Sequence, residues 1–526
     1  MLGFGPCTVL QPARILAAFP ACFSFMVLML GCAGERRGNG VEESSITILY
    51  SADERMFGPF WSVEAWFMMF LPLAKFDAEG QIVSRLARSW EHTPDSRTWT
   101  FHLRSDVYWH DGQPTTAHDI KFSIELAAHP DILFDDAWHD VDSITVLDDT
   151  TVTIHYDRPK DARNTWIVYW PKHLLEDLDP REFWEWQFWV QPVGNGPYRY
   201  VRHVPKTMIE LRANADFYDG KPAIDRVTIK FGGGTTGIAE LLSGQVDILT
   251  GLNPGDIPKL ATDLRFRVYH HVDPNLPWFT TILWNQRHSA LGDVRVRRAL
   301  TLAIDRRELQ KILNLPPELP VTDAPYPSGH RRNRGPEPLP YDPARARALL
   351  AEAGWLRGES SIGGAAAGGQ LRVEALVAAG GVSERAAVII QAELRQIGVD
   401  MQIRAMDGRL VRRRVNSGDF EMAFLDLWNA VDGYLPWLSA DGPLSYRNVE
   451  VTRLLRSAKR TVEPTELDRI YGQYAALVQR DLPVTFLFPM IQTYAVDRRI
   501  TGLQGPYQAD PMQFSERLVL VQDRHE

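Results

Sequence analysis

Ser45 to Tyr50 (SITILY) is a short apolar run bounded by polar residues and predicts a first β-strand. From Thr98 to Val107 (TWTFHLRSDV) apolar and polar positions alternate, as they do in a half-buried strand. A turn at Asp111-Gly112-Gln113-Pro114 follows. Thr116 with Asp119 three residues on then forms a capping box, which opens a helix through about Ala128. Val146 to Tyr156 (VLDDTTVTIHY) predicts two strands around an Asp-Asp turn.

Further along, Val227 to Phe231 predicts a strand, Gly232 to Gly237 a loop, and Ile238 to Ser243 a short helix ending at Gly244. Arg295, Arg297 and Arg298, with Asp293 ahead of them, start a charged helix whose Ala299, Leu302 and Ala303 face inward. Asp342-Pro343 supplies an N-cap and first-turn proline for a helix to Ala353, with Gly354 as its C-cap. Ser383 starts another helix, with Ala387, Ile390, Leu394 and Ile397 on one face. Gly398 ends it and a strand runs from Val399 to Ala405. The low-complexity stretch Gly358 to Gln370 is expected to be a surface loop. Strands and helices mix along the chain without a short repeat.

The chain has 526 residues, 45% of them hydrophobic, enough for more than one buried core and against disorder. Its formal charge of −9 argues against nucleic acid as the main partner, since phosphate binding needs a basic face. Cysteines occur at positions 7, 22 and 32, so the sequence after Cys32 holds no disulfide, thiolate cluster or cysteine nucleophile. Arg14 precedes the apolar run Ile15 to Leu30, which contains Pro20 and is short for the ~20 residues of a membrane span. This is the pattern of a signal peptide over residues 1–31. Its ending, Leu28-Met29-Leu30-Gly31-Cys32, resembles a bacterial lipobox, with Met29 where Leu is usual; that resemblance implies cleavage before Cys32 and lipidation of its thiol. Residues 32–44 would then be a tether, polar and Gly-containing over Glu35 to Gly40.

Enzymatic chemistry is hard to place. The sequence carries no G-x-S-x-G elbow, no H-E-x-x-H and no Walker loop, and GGGTTG at Gly232 lacks the GK[ST] ending of a phosphate cradle. His270-His271, His110-Asp111 and His118-Asp119 sit at turns and caps, where structural roles are expected. No pair of carboxylates stands out for hydrolysis.

A set of segments does carry a resemblance. Leu86 to Ser123 (LARSWEHTPDSRTWTFHLRSDVYWHDGQPTTAHDIKFS), Trp170 to Glu176, Val193 to Arg202 (VGNGPYRYVR), Leu211 to Phe231, Leu241 to Leu249, Trp284 to Leu309, Tyr341 to Trp355 and Ala392 to Ile403 occur in order. Together they resemble the extracytoplasmic solute-binding proteins of peptide and nickel ABC transporters, the dipeptide- and oligopeptide-binding kind. The resemblance implies an α/β, two-lobed periplasmic-binding-protein fold of type II with an additional inserted domain. One lobe would comprise 45–75, 190–283 and 487–526, the additional domain 76–189, and the second lobe 284–486.

It also implies a function. The chain would be a monomeric, non-enzymatic binder without cofactor or metal, which captures a peptide or other small solute between its lobes. It would hand that solute to an ABC transporter permease in the periplasm or at the outer face of the cell membrane. A non-peptide solute (sugar, metal chelate or planar ligand) is the alternative, with an extracytoplasmic hydrolase or a sensor or chaperone behind it.

Dipeptide-binding relatives hold the ligand carboxylate with an Arg in the loop after the strand matching Leu371 to Val377. Here that loop is Ala378-Ala379-Gly380-Gly381, without a cation. They hold the ligand amine with an Asp shortly after a Trp. With Trp428 aligned, that position falls on Val431, so Asp432 is the first candidate and Asp426 the second. Trp428, Trp278 and Trp61 are the aromatic candidates for ligand stacking, near the expected lobe boundary. Phe57, Phe60, Trp66, Phe67, Trp184, Trp186, Phe188 and Trp189 are further aromatics near the cleft, with core packing as their more ordinary role.

Overall fold

The structure is a computed structural model, which describes residues 43–50, 63–77, 82–132, 140–163, 169–232, 236–252, 254–271, 278–317, 319–324, 335–355, 370–428, 437–438, 442–503 and 515–521. Cys32, Trp61, Asp432 and most of the Gly358 to Gln370 loop lie outside the described residues, as does the side chain of Trp428.

The first strands are β1 (Ser45–Tyr50), β2 (Ala74–Phe76), β3 (Ile82–Ser84), β4 (Ala87–His92), β5 (Thr98–Leu103), β6 (Val141–Asp148) and β7 (Thr151–Tyr156). Next come β8 (Tyr198–Val204), β9 (Met208–Ala213), β10 (Arg226–Phe231), β11 (Ile248–Leu249) and β12 (Phe266–His271). The later strands are β13 (Trp278–Trp284), β14 (Arg372–Ala378), β15 (Asp400–Met406), β16 (Met422–Trp428), β17 (Val484–Pro489) and β18 (Gln492–Asp497). They form a seven-stranded sheet of order β12-β18-β11-β1-β10-β9-β8, a five-stranded sheet of order β15-β14-β16-β13-β17 and a four-stranded sheet of order β4-β5-β7-β6. β2 and β3 pair as a separate hairpin.

Local chemistry explains most of these elements. Thr116 and Asp119 close the expected capping box on the helix Ala117–Ala127. Asp342 caps Pro343–Glu352 by accepting from the Arg345 N–H, and Gly354 takes the left-handed conformation (φ 85°) that ends it. The helix expected from Ser383 starts at Val382 instead. Gly381 is its N-cap in an extended conformation, and the Glu384 carboxylate turns back to accept from the Gly380 N–H at 2.6 Å. β6 begins at Val141, before the expected Val146, because most of its side chains are exposed and it carries little apolar signal.

Apolar burial follows the sheets. One cluster joins Ile46 and Ile48 of β1 and Ile209 and Leu211 of β9 to Trp99, Phe101, Val152 and Ile154 of the four-stranded sheet. The five-stranded sheet is covered on both faces. Met422 and Phe424 of β16 pack with Leu300, Ile390 and Leu394 on one side, while Ala423, Leu425 and Leu427 pack with Val451, Leu454 and Tyr474 on the other. β13 and β17 pair within this five-stranded sheet, so among the described strands the chain changes sheet at residues 272–277 and at Met490-Ile491.

Arg297, one of the charges that start its helix, is buried. It is 3% exposed, and its guanidinium donates to the carbonyls of Leu291, Gly292, Asp481 and Leu482. Burial lowers its pKa to about 10. It thereby joins the helix Val294–Leu302 to the C-terminal end of the helix Pro464–Asp481, where Leu482 takes a left-handed φ of 46°.

Candidate solute-binding site

Strand direction brings two sheet edges together. In the seven-stranded sheet β1 runs parallel to β10 and β11, while β18 is antiparallel to β11 and β12. Tyr50, Phe231, Leu249, His271 and Gln492 therefore lie along one edge. In the five-stranded sheet β14 runs parallel to β15 and β16, and β13 is antiparallel to β16 and β17. Ala378, Met406, Trp428, Pro489 and Trp278 therefore share an edge too. The chain passes from one edge to the other after His271 and again through Met490-Ile491, and the Met490 N–H donates to the Trp278 carbonyl at 2.6 Å. C-terminal strand ends, at a point where the chain changes sheet, are where α/β folds place ligands.

Asp426 lies at this edge. Register sets it opposite Thr280, whose hydroxyl donates to its Oδ1 at 2.8 Å. Burial raises the Asp426 pKa, against the opposing effects of that hydrogen bond and of the Arg412 cation. A carboxylate so desolvated gains from a cationic partner, because an ion pair offsets the cost of burying its charge. Two residues along β13, Trp278 pairs in register with Trp428, and the Trp278 side chain is 39% exposed. Of the residues singled out in sequence, the fold thus brings Asp426, Trp278 and Trp428 to one strand pair. Thr280 went unnoticed in sequence: in WFTTILW it is one β-branched strand residue, and its partner is 146 positions away.

Other candidates have structural work. Trp66, Trp186 and Trp189 are buried: Trp186 and Trp189 pack against Phe183, Trp189 also packs against Trp170, and the Trp66 and Trp189 centroids lie 6.2 Å apart. This is the core packing that was their more ordinary role. His110 sits between two glycine backbones: its Nε2 donates to the Gly196 carbonyl at 3.1 Å and its Nδ1 accepts from the Gly194 N–H at 3.2 Å. A Cβ on Gly194 would lie 2.0 Å from the Met69 carbonyl oxygen, so the VGNGP segment needs glycine to dock against the end of the helix Val63–Met69. His118 stands 3.6 Å from Asp149 in an exposed pair, and His270 Nδ1 is 3.3 Å from the Thr493 hydroxyl. Among the described residues no group of three or more His, Cys, Asp or Glu side chains is placed to hold a metal ion.

Residues 81–441 match the family of bacterial extracellular solute-binding proteins, family 5. The chain belongs to this family. A putative ABC transporter peptide-binding protein of Brucella melitensis is 26% identical over 478 residues, covering 85% of this chain and 88% of the relative. The nickel-binding periplasmic protein of Escherichia coli is 30% identical over 386 residues, covering 69% and 70% of the two chains. The oligopeptide-binding protein AppA of Bacillus subtilis, solved with a nonapeptide, superposes with a TM-score of 0.74 at 21% identity over 91% of this chain and 100% of that one. The two-lobed type II fold is thereby shown for this family 5 protein. The Brucella melitensis relative is named as an ABC transporter protein, and peptide and nickel both occur as ligands in the relatives' names.

Proposed function

We propose that this family 5 protein is a lipid-anchored, monomeric binder that captures a peptide-like solute with a free amine and delivers it to an ABC transporter permease. Cys32 is the lipidated residue, which keeps the binder at the outer face of the membrane. The lobes are those drawn from sequence, with their limits moved to the sheet changes at 272–277 and 490–491. The additional domain carries the four-stranded sheet.

The observation that carries this proposal is the half-buried Asp426 carboxylate, held by Thr280 on the same strand pair as the partly exposed Trp278. A carboxylate next to an indole face suits an ammonium group, which gains an ion pair and a cation–π contact together. Asp432, four residues past Trp428 in sequence and the first candidate by resemblance, is the other carboxylate proposed for the amine, with Trp61 and Trp428 as candidate stacking residues. No covalent chemistry is required, and closure is favoured when one ligand bridges both lobes.

Calorimetry with tri-alanine and N-acetyl-tri-alanine tests the amine assignment. Tri-alanine is expected to bind the wild type more tightly than its acetylated form. Asp426→Asn or Asp432→Asn is expected to weaken tri-alanine by ~2–5 kcal/mol and leave the acetylated form nearly unchanged. Equal losses for both peptides would assign the carboxylates to structure, and no binding of either peptide would overturn the peptide proposal.

A further inference from the structure

Arg158 follows β7 at the end of the four-stranded sheet, and its guanidinium donates to the Lys459 carbonyl at 2.8 Å across 301 positions of sequence. Lys459 is the C-cap of the helix Val449–Ala458, which packs on the five-stranded sheet. The other side of the Arg158 fork meets the Asp140 carboxylate, which Lys160 also approaches at 3.5 Å. The Arg158 and Asp140 side chains are 20% and 15% exposed, so water competes little for this contact. The Asp157 N–H donates to the Asp140 carbonyl at 2.9 Å, fixing the two segments before the arginine reaches out. The receiving carbonyl lies at a helix C-terminus, where unpaired carbonyls and the aligned peptide dipoles attract a cation.

We propose that Asp140 and Arg158 form a clasp between the additional domain and the second lobe, and that it limits how far the lobes separate in the ligand-free protein. Arg158 is a positioning residue and touches no solute. The clasp rests on the fold and not on the identity of the solute, so its failure would leave the amine assignment standing.

Single-molecule energy transfer in the full chain tests it, with fluorophores carried by unnatural amino acids at positions 149 and 311. Asp149, in the turn between β6 and β7, and Lys311, on the helix Arg306–Ile312, have side chains 81% and 78% exposed. A charge-assisted hydrogen bond is worth enough for its loss to raise the widely separated population about tenfold. Arg158→Gln and Asp140→Asn are each expected to shift the distribution this way without added ligand, and Lys160→Gln to leave it near wild type. Wild-type distributions in both clasp variants would overturn the clasp, even if thermal stability fell. An equal shift in Lys160→Gln would overturn it too, pointing to general charge loss.

Discussion

His110 shows how one side chain can be fixed by the backbone around it. With Nδ1 accepting and Nε2 donating, both ring nitrogens are used by the neutral imidazole, and a proton on Nδ1 would face the Gly194 N–H. Burial accordingly pushes its pKa down to about 4 from 6.5. The unfolded chain therefore binds a proton that the fold refuses between those values. The stabilisation is complete above pH 6.5 and is lost as pH falls towards 4, by about 2–3 kcal/mol. Urea unfolding of the wild type at pH 7.5 and pH 4.5 is expected to show this loss, and His110→Gln to show a smaller one. Glu393 behaves with the opposite sign. Its Oε1 accepts from the Asp305 N–H at 3.2 Å, its buried Oε2 finds no partner among the described residues, and burial raises its pKa to about 7. Stability is then full below pH 4.5 and declines as pH rises through 7. Glu393→Gln is expected to stabilise the protein at pH 8 by about 1–2 kcal/mol, read from the same unfolding curves. At the N-terminus, mass spectrometry of protein from its own host is expected to show a chain beginning at an acylated Cys32. Retained upstream residues or a missing acyl mass would contradict the anchor.

Arg297 ties two helices together, so its contribution belongs to the elements it joins. Truncation to Ala leaves the carbonyls at the end of Pro464–Asp481 buried without their donor, and a loss of about 3 kcal/mol is expected in equilibrium unfolding. A change under 0.5 kcal/mol would contradict this role. Elements whose determinants are close in sequence were legible there: Thr116 with Asp119, Asp342 with Pro343, and the apolar face of Ala387, Ile390 and Leu394 all act within a few turns. Contacts made at long range were not. The Thr280–Asp426 pair, the glycine cradle around His110 and the Arg158–Lys459 bond join segments whose proximity exists once the sheets have formed. The burial of Arg297 was not legible for a related reason, since charge in a helix pattern signals solvent until distant carbonyls are seen to receive it. Asp426 was legible as a candidate, whereas its hydroxyl partner was not.

For the whole molecule, two crossings of the chain join the seven-stranded and five-stranded sheets at a shared boundary, and the proposed solute lies there. A solute touching both edges favours the arrangement that buries it, and the proposed clasp between the additional domain and the second lobe sets how wide the empty state opens. The most direct measurement is small-angle X-ray scattering of the protein across a titration with the solute that native mass spectrometry finds co-purified with it. The account predicts a saturable decrease in the radius of gyration that follows occupancy measured by calorimetry. A solute that saturates the protein in calorimetry while leaving the scattering curve unchanged would contradict the closing of two lobes around a ligand.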